Sequence, residues 1–531
     1  MQRAKLAAIG LTLVLWLMVQ PAAAQILVGT VRSANDVIDA VKYFATLVGR
    51  EDIARQFEPF IDTLAGGKGL AGLERKVPFG LFMQSLPAPR QQPSFILFVP
   101  VSNEDAFLEL LQALNAQVDK PNDAGLRAVT LATGQTVYLR FAHGHAFFST
   151  EQNSLTRPLP DPKQLVPQQH RQHLIYLTLR TREIPPAARK KLLALLQQVT
   201  KLPIERKPDE TEARYQVRRY LTQLAGEELL QLAQDLDALT LWADLDKTNH
   251  QLSVVLDVSV RPGSVSGNVF QRFNQVPSQL AGLQPQQGSW LHLAFPTQGP
   301  LRVLLDQVAA QMEKGIAEKP QEQQAILRKL YEGIVPTLKA ETLEIAIALH
   351  GPTADGKLTP VVALRLVEGA KLEAALRELV RVLPEDAKSR IQLDTTKLAG
   401  RSVHSVLISP DDPNFTQLFG EEKLWVVLTN DYLLLSAGSH AQNILKQAVN
   451  AADSQKVGPS ISLEISLRQL GILAQTSPDG KRFHQAVQRT FRGQDETRDR
   501  LRITQESQPN HLRIRVEIPT LLVRVAAQAN Q

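Results

Sequence analysis

The chain has 531 residues, 44% of them hydrophobic and 21% charged, and 59 Lys and Arg against 53 Asp and Glu leave a formal net charge of +6. It contains no cysteine, which excludes disulfides, thiol nucleophiles, iron–sulfur clusters and cysteine-based zinc sites. Only 5% of residues are aromatic, so the composition offers neither a stacking platform nor a basic stripe for nucleic acid.

Residues 1–24 read as a secretory leader. Arg3 and Lys5 supply the positive start, Leu6–Val19 is an apolar run without charge, and Gln20-Pro21-Ala22-Ala23-Ala24 is a small-residue cleavage site. A bilayer span needs ~20 apolar residues and this run is shorter, so cleavage after Ala24 and a periplasmic or extracellular location are expected. No later stretch is apolar enough to span, and no cysteine follows the cleavage point to carry a lipid. What remains is long enough to bury a core in two or more domains without covalent staples.

Beyond the leader, a unit of strand, helical stretch, β-hairpin and helix is expected four times. The first copy opens with a strand at Ile26–Val31 and runs through a helical stretch ending at Phe57–Leu64. Gly67-Lys68-Gly69-Leu70-Ala71-Gly72 fits G-x-G-x-x-G, but a dinucleotide fingerprint follows a strand, whereas here a helix precedes it. It reads as a flexible link. Phe79–Leu86 and Phe95–Val101 flank the Pro-rich turn Pro87–Pro93, and Phe107, Leu110, Leu111 and Leu114 mark a helix with Ser102 and Asp105 placed to cap it. Val129–Leu131, Val137–Phe141 and Ala146–Ser149 close the copy as strands. His143 and His145 could hold a metal with help from elsewhere; lacking an adjacent carboxylate, the pair reads as a hairpin turn.

Arg157–His173 is rich in Pro and Gln and reads as a linker, with His170 and His173 in solvent. The second copy starts at Leu174–Arg180, and its hairpin strands Leu239–Leu245 and Leu252–Val260 flank Asp246–His250. Asp244-Leu-Asp246-Lys-Thr248-Asn249 resembles the start of a calcium loop, yet the sixth-place glycine is missing and Val255 stands where the glutamate belongs. A polar turn is expected instead. Gly263-Ser-Val-Ser-Gly267 imitates G-x-S-x-G, but its central residue is Val265.

The third copy is the clearest. Ser289–Phe295 alternates as a strand, Leu301, Leu304, Leu305, Val308 and Met312 recur at helical spacing, and Glu322–Leu338 forms a second helical stretch. Leu343–Leu349 and Val361–Leu366 then flank Gly351-Pro-Thr-Ala-Asp-Gly356-Lys357. That segment fits G-x-x-x-x-G-K, but Leu358 replaces the required Ser or Thr and a strand follows where a helix should open. A hairpin turn is expected. Leu372, Leu376, Leu379, Val380 and Leu383 mark a helix; Ser402–Ile408 is a strand, and Leu424–Leu428 pairs with Tyr432–Leu435 around Asn430-Asp431. A last helix starts at Ser439, with Gln442 completing a capping box. The acid pairs Asp411-Asp412 and Glu421-Glu422 lie in a loop, and no catalytic role is assigned to them.

The fourth copy has strands at Ser460–Leu467, Arg500–Glu506 and Leu512–Ile518, the last two around Ser507–His511. The basic clusters Arg189-Lys190-Lys191 and Arg498, Arg500 and Arg502 read as solvated faces, and Trp242, Trp290 and Trp425 as core residues on strands. The order long, short, long, short gives the expected fold: α+β, two tandem duplicated domains, mostly antiparallel sheets with helices packed on one face. The first domain is residues 25–287 (long unit 25–168, short unit 169–287) and the second 288–531 (long unit 288–456, short unit 457–531).

Two segments carry a resemblance: Phe95-Ile-Leu-Phe-Val-Pro-Val-Ser-Asn-Glu-Asp-Ala-Phe, and Val426-Val-Leu-Thr-Asn-Asp-Tyr-Leu-Leu-Leu-Ser followed by Ser439-His-Ala-Gln. With the leader and the lack of cysteine, they resemble exported bacterial proteins of the planctomycete type and the DUF3352-like group. The likeness is one of pattern over most of the chain and implies no activity, cofactor or functional residue. No catalytic, cofactor-binding or metal-ligating residue and no cofactor is assigned. The expected role is an exported non-enzymatic protein, envelope-structural or binding, whose partner is a polymer, lipid or protein. The alternatives are a periplasmic or secreted hydrolase with a site assembled from distant loops, and a carrier or sensor of an apolar ligand.

Overall fold

Alternating apolar residues place one face of most strands in a core, and the computed structural model shows where those faces meet. It describes residues 25–84, 94–208, 210–275, 278–408, 414–454, 458–475 and 477–529. Residues 1–24, expected as a leader, residues 87–93, expected as a turn, and the Asp411-Asp412 pair lie outside the described residues. Two compact units form. Unit 1 takes the chain up to Asn268 plus Asn510–Arg513; unit 2 takes Val269–Pro509 and the chain from Ile514.

Among the described residues, unit 1 has ten strands: β1 (Leu27–Val31), β2 (Phe79–Met83), β3 (Ile96–Pro100), β4 (Gln117–Val118), β5 (Leu126–Thr130), β6 (Thr136–Ala142), β7 (His145–Ser149), β8 (Ile175–Arg180), β9 (Leu236–Asp246) and β10 (Gln251–Val260). All pairs are antiparallel, in the order β10–β9–β8–β1–β2–β3–β7–β6–β5–β4. Unit 2 supplies β11 (Gly288–Pro296), β12 (Thr342–His350), β13 (Thr359–Arg365), β14 (Ile391–Leu398), β15 (Arg401–Leu407), β16 (Lys423–Leu428), β17 (Tyr432–Ala437), β18 (Ile461–Ser466), β19 (Arg500–Gln508) and, from Ile514 onward, most of β20 (His511–Pro519). Its order is β20–β19–β18–β11–β12–β13–β17–β16–β15–β14, again antiparallel throughout the registered pairs. Adding ten to each strand of the first order produces the second. The class is α+β.

Helix positions follow the same succession. A helical pair follows the first strand of each unit, Ala34–Leu47 with Glu51–Leu64 and Pro300–Ala317 with Gln321–Leu338. Another follows β8 and β18: Pro186–Thr200 with Glu212–Asp235, and Leu467–Ala474 with Pro478–Phe491. In unit 1, Val28, Phe82, Phe98, Phe147, Tyr176 and Trp242 pack with Leu155, Leu159 and Leu165. In unit 2, Trp290, Val361, Trp425 and Tyr432 pack under Leu445, Ala448 and Val449 of the Ala441–Asp453 helix. The three tryptophans are buried on strands, as expected. No helix among the described residues is long and apolar enough to cross a membrane.

Several local expectations change. The Glu104–Ala113 helix is capped by Asn103, which accepts from the Ala106 amide at 2.9 Å; the Ser102 amide is already committed to the Gly72 carbonyl. The helix expected from Ser439 starts at Ala441 without a side-chain cap, and the Ser439 hydroxyl faces the Phe419 carbonyl. Arg157–His173 is not a loose linker, since Leu159, Pro162, Leu165 and Val166 are buried. Gly72 is not a flexible link either. Its φ is +80° and an added Cβ would lie 2.3 Å from the Phe107 amide nitrogen, so only glycine permits that backbone approach.

Candidate functional site

The motifs that imitate catalytic or metal sites resolve into turns and caps. Gly351–Lys357 joins β12 to β13, and the Lys357 ammonium donates to the Thr416 and Gln417 carbonyls near the end of a short helix. Asp246 closes the β9–β10 turn by accepting the Thr248 and Asn249 amides. His143 and Gly144 take positive φ at the β6–β7 turn. His143 Nε2 bonds the Leu159 carbonyl, and His145 turns inward with Nδ1 on the His143 carbonyl. Ser264 and Ser266 of the false G-x-S-x-G belong to a helix start, where Asp235 accepts the Ser266 amide at 2.9 Å. Glu422 accepts from the Thr416 hydroxyl. Among the described residues, no three His, Asp or Glu side chains are placed to hold a metal ion.

Three side chains expected in solvent are packed instead, His170 and His173 half-buried and Arg500 buried. His173 donates from Nδ1 to Asp244 at 2.6 Å, and its ring stacks on Trp242. His170 packs on Tyr176 and Trp242, and burial, with help from His173, pushes its imidazole below the ordinary value. Arg500 is 7% exposed and pairs with Glu464, itself 4% exposed, while Arg502 reaches the same carboxylate at 2.9 Å. The apolar ladder around these strands brings the charges inside, and pairing offsets their desolvation.

One cavity combines space with polar groups left open. It lies in unit 2, holds about 620 Å³, and is floored by the base of the β12–β13 hairpin. His350 and Thr359 face each other across that ladder. The Ala441–Asp453 helix gives one wall through Ile444, Gln447, Ala448 and Ala451, and residues 282–287 form the rim. Burial alone pushes the His350 imidazole down to about 4, so it is neutral at pH 7. The Thr359 hydroxyl is buried with no hydrogen-bond partner. Apart from His350, no ionisable side chain among the described residues lines the cavity.

Buried ionised groups hold the rim at both ends. At its start, Glu344 accepts the Ser278 hydroxyl at 2.7 Å, the Gln279 amide at 3.0 Å and the Leu280 amide at 2.8 Å. His292 Nε2 lies 2.9 Å from Glu344, and its Nδ1 is 3.0 Å from the Pro459 carbonyl. Burial pushes the Glu344 carboxyl up, but the hydrogen bonds from His292, Ser278 and the two amides outweigh it and hold the group below the ordinary range. At the far end, Arg500 donates to the Gln286 carbonyl at 2.6 Å. Gln469, 1% exposed, donates to the Leu349 and Gly351 carbonyls and fixes the hairpin base.

Ser278, His292 and Glu344 imitate a hydrolase triad, but the geometry is wrong for one. The serine hydroxyl donates to the carboxylate at 2.7 Å, its contact with His292 Nε2 being longer at 3.2 Å, and His292 and Glu344 are 1% and 0% exposed. A nucleophile needs a base to take its proton and a path for substrate. This cluster braces a loop.

No known family, curated protein or solved structure matches this chain. The site therefore rests on its own geometry. His350 was missed in the sequence because it follows the apolar alternation of Leu343–Leu349 and precedes a turn. The only outward signal was a charge-free run, Gln284-Pro285-Gln286-Gln287, ahead of a strand.

Proposed function

We propose that this chain is an exported, non-enzymatic binding protein built by tandem duplication of one α+β domain, with its ligand site in the second copy. The carrying observation is the unit 2 cavity, whose floor sets a neutral histidine and an unpartnered buried hydroxyl among apolar walls. Buried polar groups are ordinarily satisfied. A site that leaves one open inside a cavity of ligand size is matched by a ligand that completes it. The shared strand order supports the duplication, and the leader supports export. The hydrolase reading is less well supported, since the converging Ser278, His292 and Glu344 are sealed.

The test is a two-part assay on the chain from Gln25 onward. Native mass spectrometry and thermal-shift screening against neutral small molecules should reveal a stabilising ligand, and His350→Ala should abolish the shift. Turnover of any member of an ester, glycoside, peptide and phosphate panel would overturn the non-enzymatic reading.

A further inference from the structure

The unit 2 cavity carries more than the statement that something binds there. Apart from the neutral His350, its lining has no ionisable group among the described residues. A charged ligand would lose its hydration with no counter-charge to replace it. The polar side chains present each both donate and accept: the neutral imidazole of His350, the hydroxyls of Thr353 and Thr359, and the carboxamides of Gln284, Gln286, Gln287 and Gln447. The group that matches such a lining itself carries a donor beside an acceptor, as an amide does.

The walls narrow the choice further. Leu283, Val361, Ile444, Ala448 and Ala451 are aliphatic, and no Phe, Tyr or Trp among the described residues lines the cavity. A large aromatic ring or nucleobase would lack the stacking partners such groups ordinarily find, whereas branched aliphatic groups would be covered. The volume of about 620 Å³ lies in the range that small ligands occupy.

Unit 1 offers an internal comparison. Phe82 pairs with Ile96 there as Ala348 pairs with Val361 in unit 2, each one ladder step from β1 or β11. Two residues outward, Gln84 and Ser94 stand where unit 2 has His350 and Thr359. Neither the histidine nor the threonine is repeated. Ser94 is satisfied by Ser149 and Ser154. At the matching place in unit 2, Ser436 turns away and donates to the Pro360 carbonyl, so Thr359 receives nothing. The open hydroxyl is particular to the copy that has the cavity.

We infer that the cavity binds an uncharged aliphatic amide, the chemistry of a short neutral peptide, with His350 and Thr359 reading its polar group. This rests on the binding role proposed above. The same amide chemistry occurs in a free capped peptide and in the head of an N-acyl lipid, and the experiment separates the two.

The chain from Gln25 onward is titrated by calorimetry with N-acetyl-valyl-alanine amide, the zwitterionic dipeptide Val-Ala, an N-dodecanoyl alanine amide and maltose. The His350 imidazole signals are followed by NMR, assigned with His350→Asn. Saturable binding of one or both amides with a perturbed His350 signal is expected, and binding of the zwitterion should be at least about 100-fold weaker. The tighter of the two amides identifies the source, peptide or lipid. Thr359→Val should weaken the amide about tenfold or more without lowering the unfolding temperature of the free protein, because the hydroxyl it removes has no internal partner. A Thr359→Val variant that keeps full affinity, or that loses affinity and stability together, overturns the assignment of Thr359. Maltose or the zwitterion binding as well as the amides overturns the ligand class while leaving the binding role intact. If no probe perturbs His350, both readings fall.

Discussion

His350 shows how one side chain can be defined by what surrounds it. It ends a strand whose alternation directs it to the core face, and neither a carboxylate nor a hydrogen bond stabilises its charged form. Its folded pKa of about 4 lies below the ordinary 6.5, so between these values the unfolded chain binds a proton that the folded chain refuses. Stability is therefore full above pH 6.5 and falls as the pH drops toward 4, by about 3 kcal/mol for a shift of this size. His145, His170 and His404 are also pushed down by burial and act with the same sign. The contribution of His350 is isolated by comparing urea-unfolding free energies of the wild type and His350→Gln across pH 7 to 4. The variant should show the shallower loss; equal slopes would mean that the imidazole is already charged or already solvated. None of this is legible in the sequence, where His350 is one of eleven histidines and lacks the neighbours that flag His143 and His145.

At the scale of elements, the molecule is organised by what ties one piece of backbone to another. Residues 278–287, which lead into and form the rim, have little regular structure beyond the short turn Ala281–Leu283, yet the segment is anchored by side chains from three strands. Glu344 of β12 takes the leading amides, His292 of β11 bonds Glu344 from the other side, and Arg500 of β19 takes the trailing carbonyl. Removing one member of a buried pair leaves the other without compensation. Glu344→Gln should therefore cost about 3–5 kcal/mol in urea denaturation and loosen the rim, read as faster hydrogen exchange at the Gln279 and Leu280 amides. A loss below about 1 kcal/mol with protection unchanged would show that the pair does not hold the rim. The elements themselves were largely legible. Ser289–Phe295, Leu343–Leu349 and Val361–Leu366 alternate clearly, and the structure extends each by only a residue or two at most ends. Their caps were not, because Ser102, Asn103 and Asp105 are all competent and only the path of the backbone selects Asn103.

For the whole molecule, two levels of order separate. The export proposed from residues 1–24 rests on a local pattern and is testable: mass spectrometry of the chain recovered from the native host should find Gln25 at the N-terminus, and a retained Met1 would refute export. The succession of strand, helical pair, hairpin and helix is also local, since hydrophobic periodicity and turn residues act over a few positions. For this reason the sequence by itself determined the element types, the α+β class, and the reading of Gly351–Lys357 and His143–His145 as hairpin turns. Tertiary structure alone decided strand order, the burial of Arg500, the pairing of His173 with Asp244, and the meeting of His350 with Thr359 beneath residues 282–287. The physical reason is distance along the chain. Glu464 meets Arg500, and Gln286 meets Arg500, only after sheet pairing brings remote segments together. A polar residue becomes a site through the partners it gains or lacks on burial, and those are properties of the folded chain.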